Sequence, residues 1–158
     1  RSGDIAPSAV LSIMKKENLT PDQMSDLLNK QSGVKGISGI SSDIREVEAG
    51  IREGNERAKL AMEMYDYRIK KYIGAYAAAM GGVDIVVFTA GVGEHQWDVR
   101  QGACEDLEFM GIKIDAEKNK ANCGEEEIIS APDSKVKVVV VPTDEELLIA
   151  SDTLDLVK

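Results

Sequence analysis

Apolar positions along this chain alternate between helical spacing and short continuous runs. In APSAVLSIMKKEN, Val10, Ile13 and Met14 share one face of a helix. Thr20-Pro21-Asp22-Gln23 reads as a capping box with proline at the first helical position, so two short helices are predicted before residue 31. QSGVKGISGISSD then scatters single apolar residues among glycine and serine, which is loop composition. Ala61, Tyr65, Ile69, Tyr72, Tyr76 and Met80 step by three or four, predicting a long amphipathic helix that ends at Gly81-Gly82 with this stripe in the core.

The second half changes period. Ile85–Phe88 is a continuous apolar run of the kind buried in a parallel sheet, and Val99, Ala103, Leu107 and Met110 give the helix after it a buried face. GIKID predicts a short strand, and EEE at 125–127 a solvated turn. Val136 and residues 138–141 form a second strand, stopped by Pro142. Thr143 or Asp144 then caps a last helix with Leu147, Ala150, Leu154 and Val157 inward. Strands separated by helices imply an α/β layer fold, and sites in such folds collect beyond the C-terminal ends of strands.

Composition narrows the function. A net charge of -9 over 158 residues argues against nucleic acid and anionic membranes as partners. Cys104 and Cys123 are too few for a disulfide scaffold and lie in no C-x-x-C pair, so reduced thiols in a cytoplasmic protein are expected. No apolar run approaches the ~20 residues that a membrane span needs. The chain opens RSGDIAPS without methionine and reads as a fragment or cleaved product.

Candidate chemistry gathers at two predicted strand ends. TAGVGEH, residues 89–95, joins a strand to a helix through glycines, a common form of phosphate or nucleotide pocket. The dinucleotide pattern G-x-G-x-x-G fails because His95 and Gln96 follow, and the P-loop lysine is absent. Gly91 and Gly93 are alternatively plain turn residues at positive φ. The second strand runs into TDEE, so both ends deliver polar groups toward one crevice. Glu145 and Glu146 there either interact with the helix dipole, worth ~0.3–1 kcal/mol, or hold Mg²⁺.

RSGDIAP, SGVKGISGISSDIREVE, MGGVDIVVFTAGVGEH, GIKIDAEKNKA and IISAPDSKVKVVVVPTDEELLIASDT, in this order, resemble the C-terminal portion of the acetate kinase family almost end to end. The resemblance implies an α/β, ribonuclease H-like domain of the acetate and sugar kinase/Hsc70/actin type. Residues 1–158 would be one C-terminal nucleotide-binding domain of a two-domain kinase. It implies reversible phosphoryl transfer from ATP to acetate, giving ADP and acetyl phosphate, with Mg²⁺ or Mn²⁺, in a cytoplasmic homodimer. The tyrosine-bearing helix is a candidate dimer contact.

The same resemblance assigns roles. Arg1 matches the arginine held to stabilise the transferring phosphoryl group, a task suited to a permanently charged, forked donor; at the chain's start it is expected to fray. Asp43, Ile44 and Arg45 match a stretch lining the nucleotide site; the plain alternative is a helix start capped by Asp43. Gly91, Val92, Gly93, Glu94 and His95 match a loop packed against adenosine, better read as a shelf than as a phosphate cradle. Glu145 matches the magnesium glutamate. His95 and Asp144 stand where the family has asparagine, and Ala6 where it has aspartate. The family's acyl-pocket residues and remaining catalytic groups lie outside these residues, so the isolated chain is expected to be inactive. Propionate or butyrate kinase and a non-catalytic nucleotide-binding or interaction module are the alternatives.

Overall fold

The computed structural model describes residues 1–157 and divides them into two compact units, residues 1–65 and the chain from Asp66 onward. The first unit is helical. It holds α1 (Pro7–Glu17), α2 (Pro21–Lys30), α3 (Gly33–Ser38), α4 (Ile44–Arg52) and the start of α5 (Glu56–Met80). The capping box is formed as expected: Gln23 N–H donates to Thr20 Oγ1 at 3.3 Å, and Thr20 N–H to Gln23 Oε1 at 2.9 Å. The stretch expected as loop carries α3 instead. Ser32 donates its hydroxyl to Leu27 O at the helix entry, and Gly39, at φ 72°, closes its end in the left-handed conformation.

The second unit contains the rest of α5, then β1 (Ile85–Phe88), α6 (Ala90–His95), α7 (Trp97–Cys104), α8 (Ala116–Ala121), β2 (Glu127–Ile128), β3 (Lys137–Val140) and α9 (Glu145–Val157). The sheet has the order β1-β3-β2, with β1 and β3 parallel and β2 antiparallel to β3. Val86 lies opposite Val138 and Phe88 opposite Val140, so the two strands reach their C-terminal ends side by side. Phe88, Val138, Val140, Ile112, Ile129 and Ala103 form the core, against which Ile69 and Ile73 of α5 pack. Each large aliphatic side chain buried this way contributes about 1.5–3 kcal/mol.

Five further details differ from the expectation. The α5 stripe is core only in part: Ala61 is buried and Ile69 packs on the core as expected, but Tyr76 and Met80 are 61% and 68% exposed, and Ile73 and Ala77 face inward in their place. A straight helix drifts against a stripe read at three and four steps, so another row meets the core. β1 is buried on one face only, since Ile85 and Val87 are 51% and 53% exposed. GIKID forms single bridges, Ile112 to Val136 and Ile114 to Ser130, rather than a strand. Glu127, expected in a solvated turn, opens β2 opposite Val140 and accepts Asn122 Nδ2 at 3.1 Å. Finally, α9 buries no residue, so Leu147, Ala150, Leu154 and Val157 are exposed; among the described residues nothing covers that face. Asp144 does cap the helix, accepting Leu147 N–H at 2.9 Å.

Candidate functional site

Arg1, Asp43, Ile44 and Arg45 lie in the first unit. Arg1 is not loose: Ser2 N–H donates to Leu28 O at 2.8 Å, and the Arg1 main chain crosses the bare α-carbon of Gly33. A Cβ on Gly33, which sits at φ +60°, would lie 2.3 Å from Arg1 O. The Arg1 side chain is exposed. Asp43 is the N-cap of α4, its Oδ1 accepting Arg45 N–H at 3.0 Å. The Arg45 guanidinium forks onto the same carboxylate, Nε to Oδ1 at 3.0 Å and Nη2 to Oδ2 at 2.6 Å. These bonds hold the Asp43 carboxyl below the usual carboxylate range. Ile44 is half-buried beside them, while the Arg45 side chain is 81% exposed. Capping by Asp43 is therefore present, and it leaves a guanidinium face open to solvent.

Gly91, Val92, Gly93, Glu94 and His95 lie in the second unit, within α6. The expected glycine turn is built differently. The left-handed residue is Ala90, at φ 58°, and neither Gly91 nor Gly93 takes positive φ. The glycines serve proximity instead. A Cβ on Gly93 would meet the Phe88 carbonyl carbon at 3.1 Å, whereas one on Gly91 would meet nothing within 4 Å. Gly93 thus lets α6 lie on the end of β1, and Gly91 presents bare backbone to open space.

The two strand ends meet as expected. Thr143, just beyond β3, accepts Ala90 N–H at 3.0 Å and lies 2.9 Å from Thr89 Oγ1. Its own hydroxyl and N–H both donate to Glu94 Oε1 at 2.9 Å. Glu94 is 9% exposed, and the Thr143 N–H and then its hydroxyl hold the carboxyl below its ordinary pKa. His95 packs its ring against Gly124, at φ +104°, with Nδ1 3.3 Å from Cys123 O. Cys104 is buried, its thiol pushed up to about 12 by burial, and Cys123 is exposed.

Sequence reading missed Arg100. It is 0% exposed, and all five guanidinium N–H groups donate. Nη1 donates to Gly93 O at 2.9 Å and Glu94 O at 2.7 Å, Nη2 to Asn119 O at 2.8 Å and Asn122 O at 3.2 Å, and Nε to Asn119 Oδ1 at 2.7 Å. Gly93 and Glu94 offer orphan carbonyls at the end of α6, Asn119 and Asn122 at the end of α8. One buried cation caps the negative ends of two short helices, with no carboxylate among its five acceptors. The sequence did hold a signal: Arg100 sits among Val99, Ala103 and Cys104 on the buried face of α7, which ends there, so that Leu107 and Met110, expected on the same helix, lie beyond it.

Glu145 opens α9, exposed, next to the capping Asp144. Among the described residues no group of three or more histidine, cysteine or acidic side chains gathers for a metal. One exposed carboxylate suits Mg²⁺, which keeps its waters and takes further oxygens from phosphates, and would not suit a cage-bound ion. No helix among the described residues is long and apolar enough to cross a membrane.

Comparison with known proteins places this geometry. The family model described as Acetokinase family matches residues 1–151. The chain is 65% identical over 158 residues to an acetate kinase of Bacteroides thetaiotaomicron, covering 100% of this chain and 40% of that protein. It superposes on the crystal structure of Porphyromonas gingivalis acetate kinase with a TM-score of 0.93 at 59% identity, covering 100% of this chain and 40% of that one. A propionate kinase from Francisella tularensis is more distant, with a TM-score of 0.84 at 35% identity over 95% of this chain and 38% of its own. The fold is thus of the expected type, and the chain spans about 40% of the length of the relatives it matches. With nearly its whole length matched, the chain belongs to the acetokinase family.

Proposed function

We propose that this chain is the C-terminal, nucleotide- and metal-handling portion of an acetate kinase, which reversibly transfers the γ-phosphoryl group of ATP to acetate. The observation that carries the reading is the junction of β1 and β3. The glycine shelf and the loop bearing Glu145 leave adjacent parallel strand ends and are hydrogen-bonded together through Thr143. Neighbouring strand ends are where such folds bind ligands. Gly91 offers bare backbone for close approach of the nucleoside. Val92, Gly93 and His95 complete the shelf, with Asp43, Ile44 and Arg45 as further nucleotide contacts. The exposed guanidinium of Arg45 suits stacking on adenine or bonding to ribose.

In the reaction, a carboxylate oxygen of acetate attacks the γ-phosphorus in line. The bond from that phosphorus to its bridging oxygen breaks, and the electron pair leaves on ADP. No protein nucleophile is needed, so positioning and charge neutralisation do the catalysis. Arg1 meets charge developing on the transferring group. Glu145 would hold Mg²⁺ or Mn²⁺, which neutralises phosphate charge when bound. The acyl pocket and the other catalytic groups belong to the rest of the protein, which works as a homodimer in the cytoplasm. The exposed Phe109, with Ala77 and Ala78 of α5 and Val83, lines an apolar groove that suits a subunit contact, and Tyr76 and Met80 of the same helix are exposed.

A hydroxamate assay on the full-length protein is the test. Acetyl phosphate should form with acetate faster than acyl phosphate forms with propionate or butyrate, and Glu145→Ala should lower turnover about a hundredfold or more. The 158-residue chain alone should give none. Preference for propionate would support the second reading, which the 35% identical propionate kinase motivates. Absence of turnover with every acid would leave a non-catalytic nucleotide module.

A further inference from the structure

We propose that Glu94 and Thr143 are positioning residues that lock the nucleoside shelf to the metal-bearing loop, so that a change on either side is felt on the other. The inference rests on the proposed function. Its ground is an unusually complete set of bonds around one hydroxyl. A threonine hydroxyl has one proton to give and two lone pairs to fill. Thr143 Oγ1 spends its proton on Glu94 Oε1 and receives Ala90 N–H, which leaves Thr89 Oγ1, at 2.9 Å, to donate into the second lone pair. Thr143 N–H adds a second bond to the same Glu94 oxygen.

The cost of this arrangement argues for its use. Glu94 lies in the C-terminal half of α6, where the helix dipole disfavours a carboxylate, and it is nearly buried. The His95 ring approaches only to 4.0 Å, Nε2 to Oε2, whereas both Thr143 bonds are 2.9 Å long, so Thr143 does most of the holding. Ala90 is kept left-handed at φ 58°, a conformation alanine adopts reluctantly, with its N–H aimed at Thr143. A strained residue and an ill-placed acid persist where surrounding structure over-determines them. Here they fix Gly93 and His95, the neighbours of Glu94, relative to Glu145, two residues after Thr143. The distance between shelf and metal ligand is thereby set by hydrogen bonds of near-ideal length rather than by loop flexibility.

The signature of such a lock is a cross effect, read in the full-length protein. AMP, which lacks the β- and γ-phosphates, probes the shelf as a competitive inhibitor; the Mg²⁺ activation constant probes Glu145. Thr143→Val, which keeps shape and removes the hydroxyl, should raise the AMP inhibition constant about tenfold although Thr143 lies on the metal side. Glu94→Met, which keeps the length of the side chain and removes both acceptor oxygens, should raise the Mg²⁺ activation constant by a similar factor from the shelf side. Thr143→Ser, retaining the hydroxyl, should restore both constants. A residue that only supported the fold would lower the melting temperature and the active fraction while leaving both constants alone, and that result overturns the proposal. Shifts confined to each residue's own side overturn it too. If Thr143→Val does not fold, Thr89→Val removes one bond of the same set and is read by the same two constants. A wild-type protein without acetate-dependent turnover would instead overturn the function beneath it.

Discussion

Replacing Arg100 by lysine tests the energetic centre of the second unit. The guanidinium makes five donated bonds to five acceptors, all carbonyl or amide oxygens, in a fully buried setting. An ammonium has three N–H groups, so at least two acceptors lose their partner. A buried polar group left unpaired costs about 1–3 kcal/mol, which sums to about 2–6 kcal/mol for two. Against a typical stability of about 5–15 kcal/mol the variant should still fold. At roughly 3 °C per kcal/mol for a chain of this size, the melting temperature should fall by about 6–18 °C.

Trp97 is the reporter to use. It is the only tryptophan, it begins α7, and its carbonyl accepts Asn119 Nδ2 at 2.8 Å, inside the same network. Urea unfolding followed by Trp97 fluorescence gives the change in midpoint, with an unchanged slope as the check that only stability has moved. Arg100→Met supplies the opposing argument. Burial pushes the Arg100 pKa down, so the charge itself carries a desolvation penalty that an apolar side chain would remove. If hydrogen bonding dominates, Met is worse than Lys because all five acceptors are orphaned. A Met variant more stable than the Lys variant, or a Lys variant within about 0.5 kcal/mol of wild type, would refute the reasoning.

Two further predictions concern single positions. Gly33→Ala places a methyl where the Arg1 main chain passes, 2.3 Å from its carbonyl oxygen, at a φ of +60° that alanine resists. On the proposed role of Arg1, kcat of the full-length protein should drop about tenfold or more with KM for ATP little changed, because a misplaced transition-state donor costs turnover rather than ground-state binding; an unchanged kcat would count against that role. Asp66 is half-buried beside Gly102, its Oδ1 has no hydrogen-bond partner, and burial first, then Asp98 and Glu105, raises its pKa from 3.8 to about 7 against the pull of Lys70. A carboxyl whose folded pKa lies above its unfolded value costs nothing while protonated in both states, and the penalty grows as pH rises from about 4 to about 7. Asp66→Asn should therefore stabilise the chain at pH 8, by about 1 kcal/mol once partial exposure is allowed for, and leave it unchanged at pH 4. Equal effects at both pH values in thermal melts would exclude this origin.

What the sequence made legible was local chemistry. The capping box at Thr20, the Asp43 and Asp144 caps, and the run Ile85–Phe88 each declare themselves within a few residues, because the competing backbone donors are close by. The meeting of the two loops was also legible, since parallel strands of a layered fold end on one side. Periodicity failed where packing decides between equally apolar faces. On α5 the predicted stripe holds as far as Ile69 and then gives way: Ile73 and Ala77 meet the core, while Tyr72, Tyr76 and Met80 stay exposed. It failed again on α9, where a helix with an apolar stripe finds no cover among the described residues. Arg100 was overlooked for a different reason. A charged residue on an apolar face reads as a flaw in the stripe, and its partners are main-chain oxygens, which no side-chain pattern announces. The same holds for Gly93, whose role is the 3.1 Å approach to Phe88 rather than a turn conformation. The second unit's local structure thus depends on backbone carbonyls and bare α-carbons, which carry no letter of their own: motif order finds the loop after β1, and the buried guanidinium and the Thr143 hydroxyl explain why it holds its shape.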